Sequence, residues 1–203
     1  METRERILMA AAQEFAENGF RGATMRGISR RAGINHAGIN YHFKSKEELY
    51  AEVVAHLFRE SGLQEPAEPN EARTLEGKIF AWAHKLLSTT ADGQQLTRWK
   101  DAILFREMVE PTNCLKAFHD QYFKPELDRL RGYLREGMPT AGQTQLDIAL
   151  FTTVAQCVFF KQNRVFVDLL VGPEFYDERN MREIAAVATR NAIANFGRDA
   201  TCS

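Results

Sequence analysis

Apolar side chains recur at intervals of three and four along most of the chain, the spacing that places them on one face of an α-helix. Ile7, Ala11 and Phe15, flanked by Leu8 and Ala12, predict an amphipathic helix over 3–18, ended by Asn18-Gly19 with Phe20 tucked back beneath it. Met25, Ile28 and Ala32 predict a short second helix. Thr24 is suited to cap its start, and Gly33 to turn the chain sharply at its end. Ile39 and Phe43, four apart, predict a third helix capped by Asn35. Ser45 followed by Glu48 has capping-box spacing for a fourth helix from Lys46, with Leu49, Val53, Leu57 and Phe58 inward. That helix fades near Ser61-Gly62, and Q-E-P-A-E-P-N-E, with Pro66 and Pro69, breaks the pattern.

Helical stripes then continue. Leu75, Ile79, Trp82 and Leu86 mark 74–90; Leu96, Trp99, Ile103 and Met108 mark 94–109, stopped by Pro111. Over 113–136, Leu115, Phe118 and Tyr122 precede Pro125, which should kink or divide the helix before Leu127, Leu130 and Leu134. The helix 144–170 carries no charged residue from Ile148 to Phe160, so it should be buried on more than one side. The last helix, 178–196, places small residues at Ala185, Ala188 and Ala192, which permit close helix approach. No strand pattern competes, and the fold class is all-α. An N-terminal three-helix helix-turn-helix domain over 1–50 precedes a C-terminal helical bundle over 51–203, the boundary falling inside the fourth helix. Helices 144–170 and 178–196 present more apolar surface than a lone bundle needs, which predicts a homodimer formed through them.

Charge sharpens the picture at one end. Residues 1–46 hold eight Lys/Arg against four Asp/Glu, whereas the whole chain has a net charge of −1. Between 24 and 46 the charged residues are Arg26, Arg30, Arg31, Lys44 and Lys46, all cationic. A basic tip on a mildly acidic protein suits the phosphates of double-stranded DNA. The second helix of a helix-turn-helix enters the major groove and meets base edges through its N-terminal residues. Here it offers Asn35, His36, Ala37 and Asn40, and Gly38 would let the backbone approach closely. Asn pairs with adenine, His donates or accepts, and Ala meets a thymine methyl. Two such tips on a dimer would read a palindromic operator.

The stretches I-L-M-A-A-A-Q-E-F-A-E-N-G-F-R-G-A-T-M-R-G-I-S-R-R-A-G-I and Y-H-F-K-S-K-E-E-L-Y, covering 7–50, resemble the DNA-binding domain of TetR-type one-component transcriptional regulators. The resemblance implies a repressor that dimerises through its last two helices and is released by a small hydrophobic or drug-like effector. It implies that Arg26 reaches a base, that Thr24, Tyr41 and Lys46 hold phosphates, and that Lys44 adds charge. Asn40 departs from the pattern, since relatives commonly carry a backbone-gripping Tyr there, and the division of labour between Asn40 and Tyr41 stays open. F-R-E-M-V-E-P-T at 105–112 resembles a segment of a subgroup associated with efflux and drug-sensitivity genes.

Aromatics are dense between residues 80 and 123, and polar groups sit among them. Trp82, Trp99, Phe105, Phe118, His119 and Tyr122 are the candidate effector-binding residues, although stripes of this kind also serve as plain core. Arg106 and Glu107 read first as structural or switching residues and second as ligand contacts, since both need partners if buried. Cys114, Cys157 and Cys202 are too widely spaced for a zinc site and suit reduced thiols. No catalytic motif has diagnostic spacing, which argues against an enzyme and a required cofactor. No apolar run approaches the roughly 20 residues of a membrane span. The first residues lack a secretion signal's apolar core, and the expected location is the cytoplasm. The alternatives are an architectural DNA-binding dimer without an effector and, more distantly, a small-molecule enzyme.

Overall fold

A computed structural model describes residues 2–60, 73–91 and 95–194, with the side chains of 89–91 left aside. The helices are α1 (Thr3–Gly22), α2 (Met25–Ala32), α3 (His36–His42), α4 (Lys46–Glu60), α5 (Leu75–Ala91) and α6 (Gln95–Val109). They continue with α7 (Leu115–Phe118), α8 (Lys124–Gly137), α9 (Gln143–Gln162), α10 (Arg164–Val171) and α11 (Glu178–Ile193). A π turn spans His119–Phe123 and a 3-10 turn spans Pro173–Tyr176. No strand occurs among the described residues. The Pro66 and Pro69 segment lies outside them.

Contacts group the chain into two compact units. The first contains α1 to α4 together with α6 and α7. Its core is Ile7, Leu8, Phe15, Ile28, Ile39, Phe43, Leu49, Tyr50, Val53 and Leu57, all buried. The rings of Phe15 and Phe20 close on Tyr50 at 4.8 and 4.9 Å between centroids. Gly19 has φ 68°, so the helical backbone of α1 is interrupted there and Phe20 turns under the bundle as expected. Helix α6 packs on both α1 and α4. This grouping differs from the linear division at residue 50, because the whole of α4 and all of α6 join the N-terminal helices.

The inward stripe of α6 corrects the apolar-spacing expectation. Ile103 is buried, but its inward neighbours are Lys100 and Glu107, whereas Met108 is 57% exposed. Trp99 is half-buried. Spacing counts only apolar residues inward, and a buried carboxylate with enough hydrogen-bond donors breaks that count.

The second unit contains α5 and α8 to α11 around one core, which includes Ile79, Trp82, Leu87, Leu130, Leu134, Leu146, Leu150, Met181 and Ala185. Thr74 caps α5, accepting from the Gly77 N–H at 3.0 Å. Pro125 stands in the first turn of α8, where its missing N–H costs nothing, and the π turn comes just before it. The single helix expected over 144–170 is two helices, divided at Asn163 (φ −104°, ψ 24°). Within this chain α9 is also not buried all round. Its inner face is Leu146, Ala149, Leu150, Thr153 and Cys157, while Ile148 is 62% and Phe151 59% exposed. No described helix is long and apolar enough to cross a membrane.

Candidate nucleic-acid interface

The turn between α2 and α3 is built from short-range hydrogen bonds that the sequence dictates. Thr24 Oγ1 accepts from the Gly27 N–H at 2.9 Å, satisfying a donor at the start of α2. Gly33 ends α2 in the left-handed region, φ 63° and ψ 35°, which costs a glycine little. Ile34 N–H then returns to Ser29 O at 3.2 Å, and the Ser29 hydroxyl donates to Ile34 O. From α1, Arg6 Nη2 donates to Ala32 O at 2.7 Å and holds the turn against the bundle.

Helix α3 starts with Asn35 Oδ1 accepting from the Gly38 N–H at 2.8 Å. The cap uses the Asn35 carbonyl oxygen and leaves its NH2 group as the part free of the cap. A Cβ on Gly38 would lie 2.7 Å from Ile34 Cγ2, so packing against the turn also demands glycine there. Ile39 and Phe43 are buried, which fixes the opposite face outward. His36, Ala37 and Asn40 are exposed, and Tyr41 is 87% exposed. Ser45 Oγ accepts from the Glu48 N–H at 3.0 Å. The return half of the capping box is displaced by one residue, since Glu48 Oε2 accepts from Lys44 N–H at 2.8 Å.

The five cations of this segment separate into two groups. Arg26, Arg30 and Lys44 are exposed. Arg31 turns towards α1, where Nε meets Glu14 Oε2 at 2.6 Å and Nη2 meets Glu17 Oε2. The Glu14 hydrogen bond is the first cause raising the guanidinium pKa above its ordinary value. Lys46 Nζ also points inward, 2.8 Å from Ala23 O.

Glu14 is buried and lies over Gly27, where an added Cβ would sit 2.8 Å from its Cδ. Alanine in a helix gains about 1 kcal/mol over glycine, but overpacking a held side chain costs about 1–3 kcal/mol. Gly27→Ala is therefore expected to lower stability by about 1–2 kcal/mol, read from the urea midpoint. A variant more stable than the parent would show that Glu14 is not held in place.

Residues 7–53 match the family described as bacterial regulatory proteins, tetR family. Residues 75–197, more than half of the chain, match the C-terminal domain of the HTH-type transcriptional dual regulator CecR. The chain is a TetR-family transcriptional regulator. It is 25% identical over 202 residues to the dual regulator CecR of Shigella flexneri, covering 93% of this chain and 88% of that one. The transcriptional repressor BepR of Brucella suis biovar 1 (strain 1330) is 34% identical over 85 residues, 39% of this chain and 41% of that protein. A putative tetR family regulator from Shewanella sp. PV-4 shares the fold, with TM-score 0.65 and 21% identity over 95% of this chain and 98% of that chain.

The aromatic candidates of this TetR-family regulator fall in both units. In the first, Phe118 is buried with its ring 5.9 Å from Tyr50, and Trp99 is half-buried. Phe105 is largely exposed, and His119 is exposed with Nδ1 2.9 Å from Asp120 Oδ1. In the second, Tyr122 is buried, and Trp82 is buried with its indole N–H donating to Glu126 O at 3.2 Å. A separate apolar groove in the second unit, between α9 and α11, is lined by Ile148, Phe151, Phe159, Ile184 and Val187. The exposed apolar surface extends onto α10 through Val165, Phe166, Leu169 and Leu170.

In the F-R-E-M-V-E-P-T segment of the regulator, Arg106 and Glu107 have the structural role read first for them from sequence, with partners that the sequence did not disclose. Arg106 Nη2 donates to Glu17 O at the end of α1, at 2.9 Å. Glu107 Oε1 accepts from the Tyr50 hydroxyl of α4 at 2.7 Å and from Thr112 Oγ1 at 2.9 Å. Its Oε2 accepts from the Thr112 N–H at 3.0 Å. Adjacent residues of α6 thus hold α1 and α4.

Proposed function

We propose that this regulator binds a palindromic operator as a homodimer, represses transcription from it in the cytoplasm, and releases it when a small hydrophobic effector binds. The carrying observation is α3, which buries Ile39 and Phe43 and turns His36, Ala37, Asn40 and Tyr41 outward beside exposed cations. In this reading residues 1–50 read DNA, while 51–203 bind the effector and the second copy. The name of the BepR relative supports repression. The groove of α9 and α11, extended by α10, is the surface the second copy would cover. His36, Asn40, Arg26 and the free amide of Asn35 meet base edges. Thr24, Tyr41 and Lys44 meet phosphates. Of the aromatic set named from sequence, Trp99, Phe105 and His119, all in the first unit, keep accessible surface and would supply effector contacts. An effector that shifts the regulator from nearly all bound to nearly all released must prefer the released state by about 5.5 kcal/mol. The association of 105–112 with efflux genes belongs to this proposal too, and a drug-like effector would fit it.

Binding to a pool of randomised inverted repeats tests the reading. Alanine at His36 or Asn40 should relax base preference at one position per half-site, a discrimination of about 1–3 kcal/mol. Alanine at Tyr41 or Lys44 should weaken all sequences alike. Uniform loss from every substitution would remove α3 as the reading element.

A further inference from the structure

Arg106 is exposed on α6, and it reaches back to α1 at the point where that helix lapses. Its Nη2 donates to Glu17 O at 2.9 Å. Two residues on, Gly19 has φ 68° and ψ 172°, so the helical backbone is interrupted there. The arginine lies across that glycine as well, since an added Cβ would stand 3.4 Å from Arg106 Cδ and Nη1. A guanidinium offers its donors in a rigid planar fork, which suits it to brace main chain that has left helical geometry.

The residue held by its carbonyl faces α2 with its side chain. Glu17 Oε2 accepts from Arg31 Nη2, and Glu17 Oε1 accepts from Gln13 Nε2 at 2.8 Å. Arg31 Nε also reaches Glu14 Oε2, one turn back on α1, at 2.6 Å. Arg31 stands in the last turn of α2, two residues before Gly33 turns the chain towards α3. Arg106, Glu17 and Arg31 thus form one bonded run from α6 to the helix-turn-helix, and all three lie in the first unit.

We infer that Arg106 is a positioning residue for operator binding: it clamps α1 at the Gly19 interruption, and Glu17 passes that position through Arg31 to the turn that aims α3. Without the clamp the end of α1 is free to relax, and α2 and α3 follow it away from the orientation that fits the groove. The inference rests on the reading face proposed above.

The full chain is titrated with a duplex that the parent selects from a pool of randomised inverted repeats, at a temperature where heat unfolding shows each variant fully folded. Arg106→Met keeps the stem across Gly19 and loses the donors. It should weaken binding about tenfold, two hydrogen bonds of about threefold each in a dimer, by the same factor for every sequence in the pool. The slope of log affinity against log salt should stay parental, whereas loss of one phosphate contact in each copy would lower it by about 1.8. Arg106→Lys, which can still donate to Glu17 O, should recover part of the affinity. In an Arg31→Met background, where the link to α2 is already cut, Arg106→Met should weaken binding less than it does in the parent. Parental affinity in Arg106→Met, a lowered slope, an altered base preference, or effects that simply multiply with those of Arg31→Met would overturn the inference and leave the reading face standing. A parent that selects no inverted repeat would overturn the reading face, and the inference with it.

Discussion

Phe151→Asp is expected to leave each chain folded, convert the protein to monomers, and weaken operator binding by about a thousandfold. Phe151 lies on the outer face of α9 in the groove with α11, and its side chain makes no part of the buried core of the second unit. The substitution therefore removes little intrachain packing, and the heat-unfolding midpoint measured at low concentration should change little. Covering a Phe side chain contributes about 1.5–3 kcal/mol, and a two-fold seam counts every such residue twice. Aspartate forfeits that contribution and would bury a carboxylate of each copy in the seam. A monomer then grips one half-site, losing the 10²–10⁴ that linkage of two modules supplies. Light scattering with a binding titration on the same samples decides it. A Phe151→Asp protein that remains dimeric and binds as the parent does would show that the seam lies elsewhere.

What the sequence disclosed and what it hid divide along the range of the interactions. Thr24, Asn35 and Ser45 each accept from an N–H three residues on, and their residue types at that spacing are legible without a fold. Gly33 is equally local, since its positive φ follows from the need to turn within one residue. Nothing nearby in sequence marks Ala23 O as a partner of Lys46, or Glu14 as a partner of Arg31. The direction of α6 was misjudged for the same reason. An apolar stripe cannot show that Glu107 will be buried when its partner Tyr50 is 57 residues away. Aromatic density between 80 and 123 did not separate a ring committed to core, such as Phe118 against Tyr50, from one with open surface, such as Phe105. The uncharged run in α9 was legible as apolar on all sides. Which side a single chain leaves uncovered was not, and neither was the break at Asn163, because Asn at a helix interruption has no distinctive spacing.

Glu107→Ala is expected to cost about 2–4 kcal/mol of stability, the largest effect of any single polar substitution in the first unit. The carboxylate is buried and accepts from Tyr50 Oη, Thr112 Oγ1 and Thr112 N. Its removal leaves three donors without their acceptor, the Tyr50 hydroxyl in a buried place and the two of Thr112 in a part-buried one. Tyr50→Phe removes one donor and leaves the two Thr112 bonds, so about 1–2 kcal/mol is expected. The double variant should cost less than the two single costs added, because the Tyr50 hydroxyl stranded by Glu107→Ala is no longer there to strand. Alkaline pH supplies an independent check. Burial first, and the Glu107 hydrogen bond second, raise the Tyr50 pKa well above its ordinary 10.0. The folded protein holds that proton more tightly than the unfolded chain. Its contribution to stability is complete below about pH 10 and falls as the pH climbs past the unfolded value. Tyr50→Phe should flatten that part of the stability profile, whereas Tyr41→Phe, at an exposed ring, should leave it as it is. Because Tyr50 stands on α4, directly after the turn that ends α3, the same substitutions should weaken operator affinity at neutral pH even where the chain is fully folded. Strictly additive costs, or an alkaline profile indifferent to Tyr50, would reduce the link between α6 and α4 to ordinary packing.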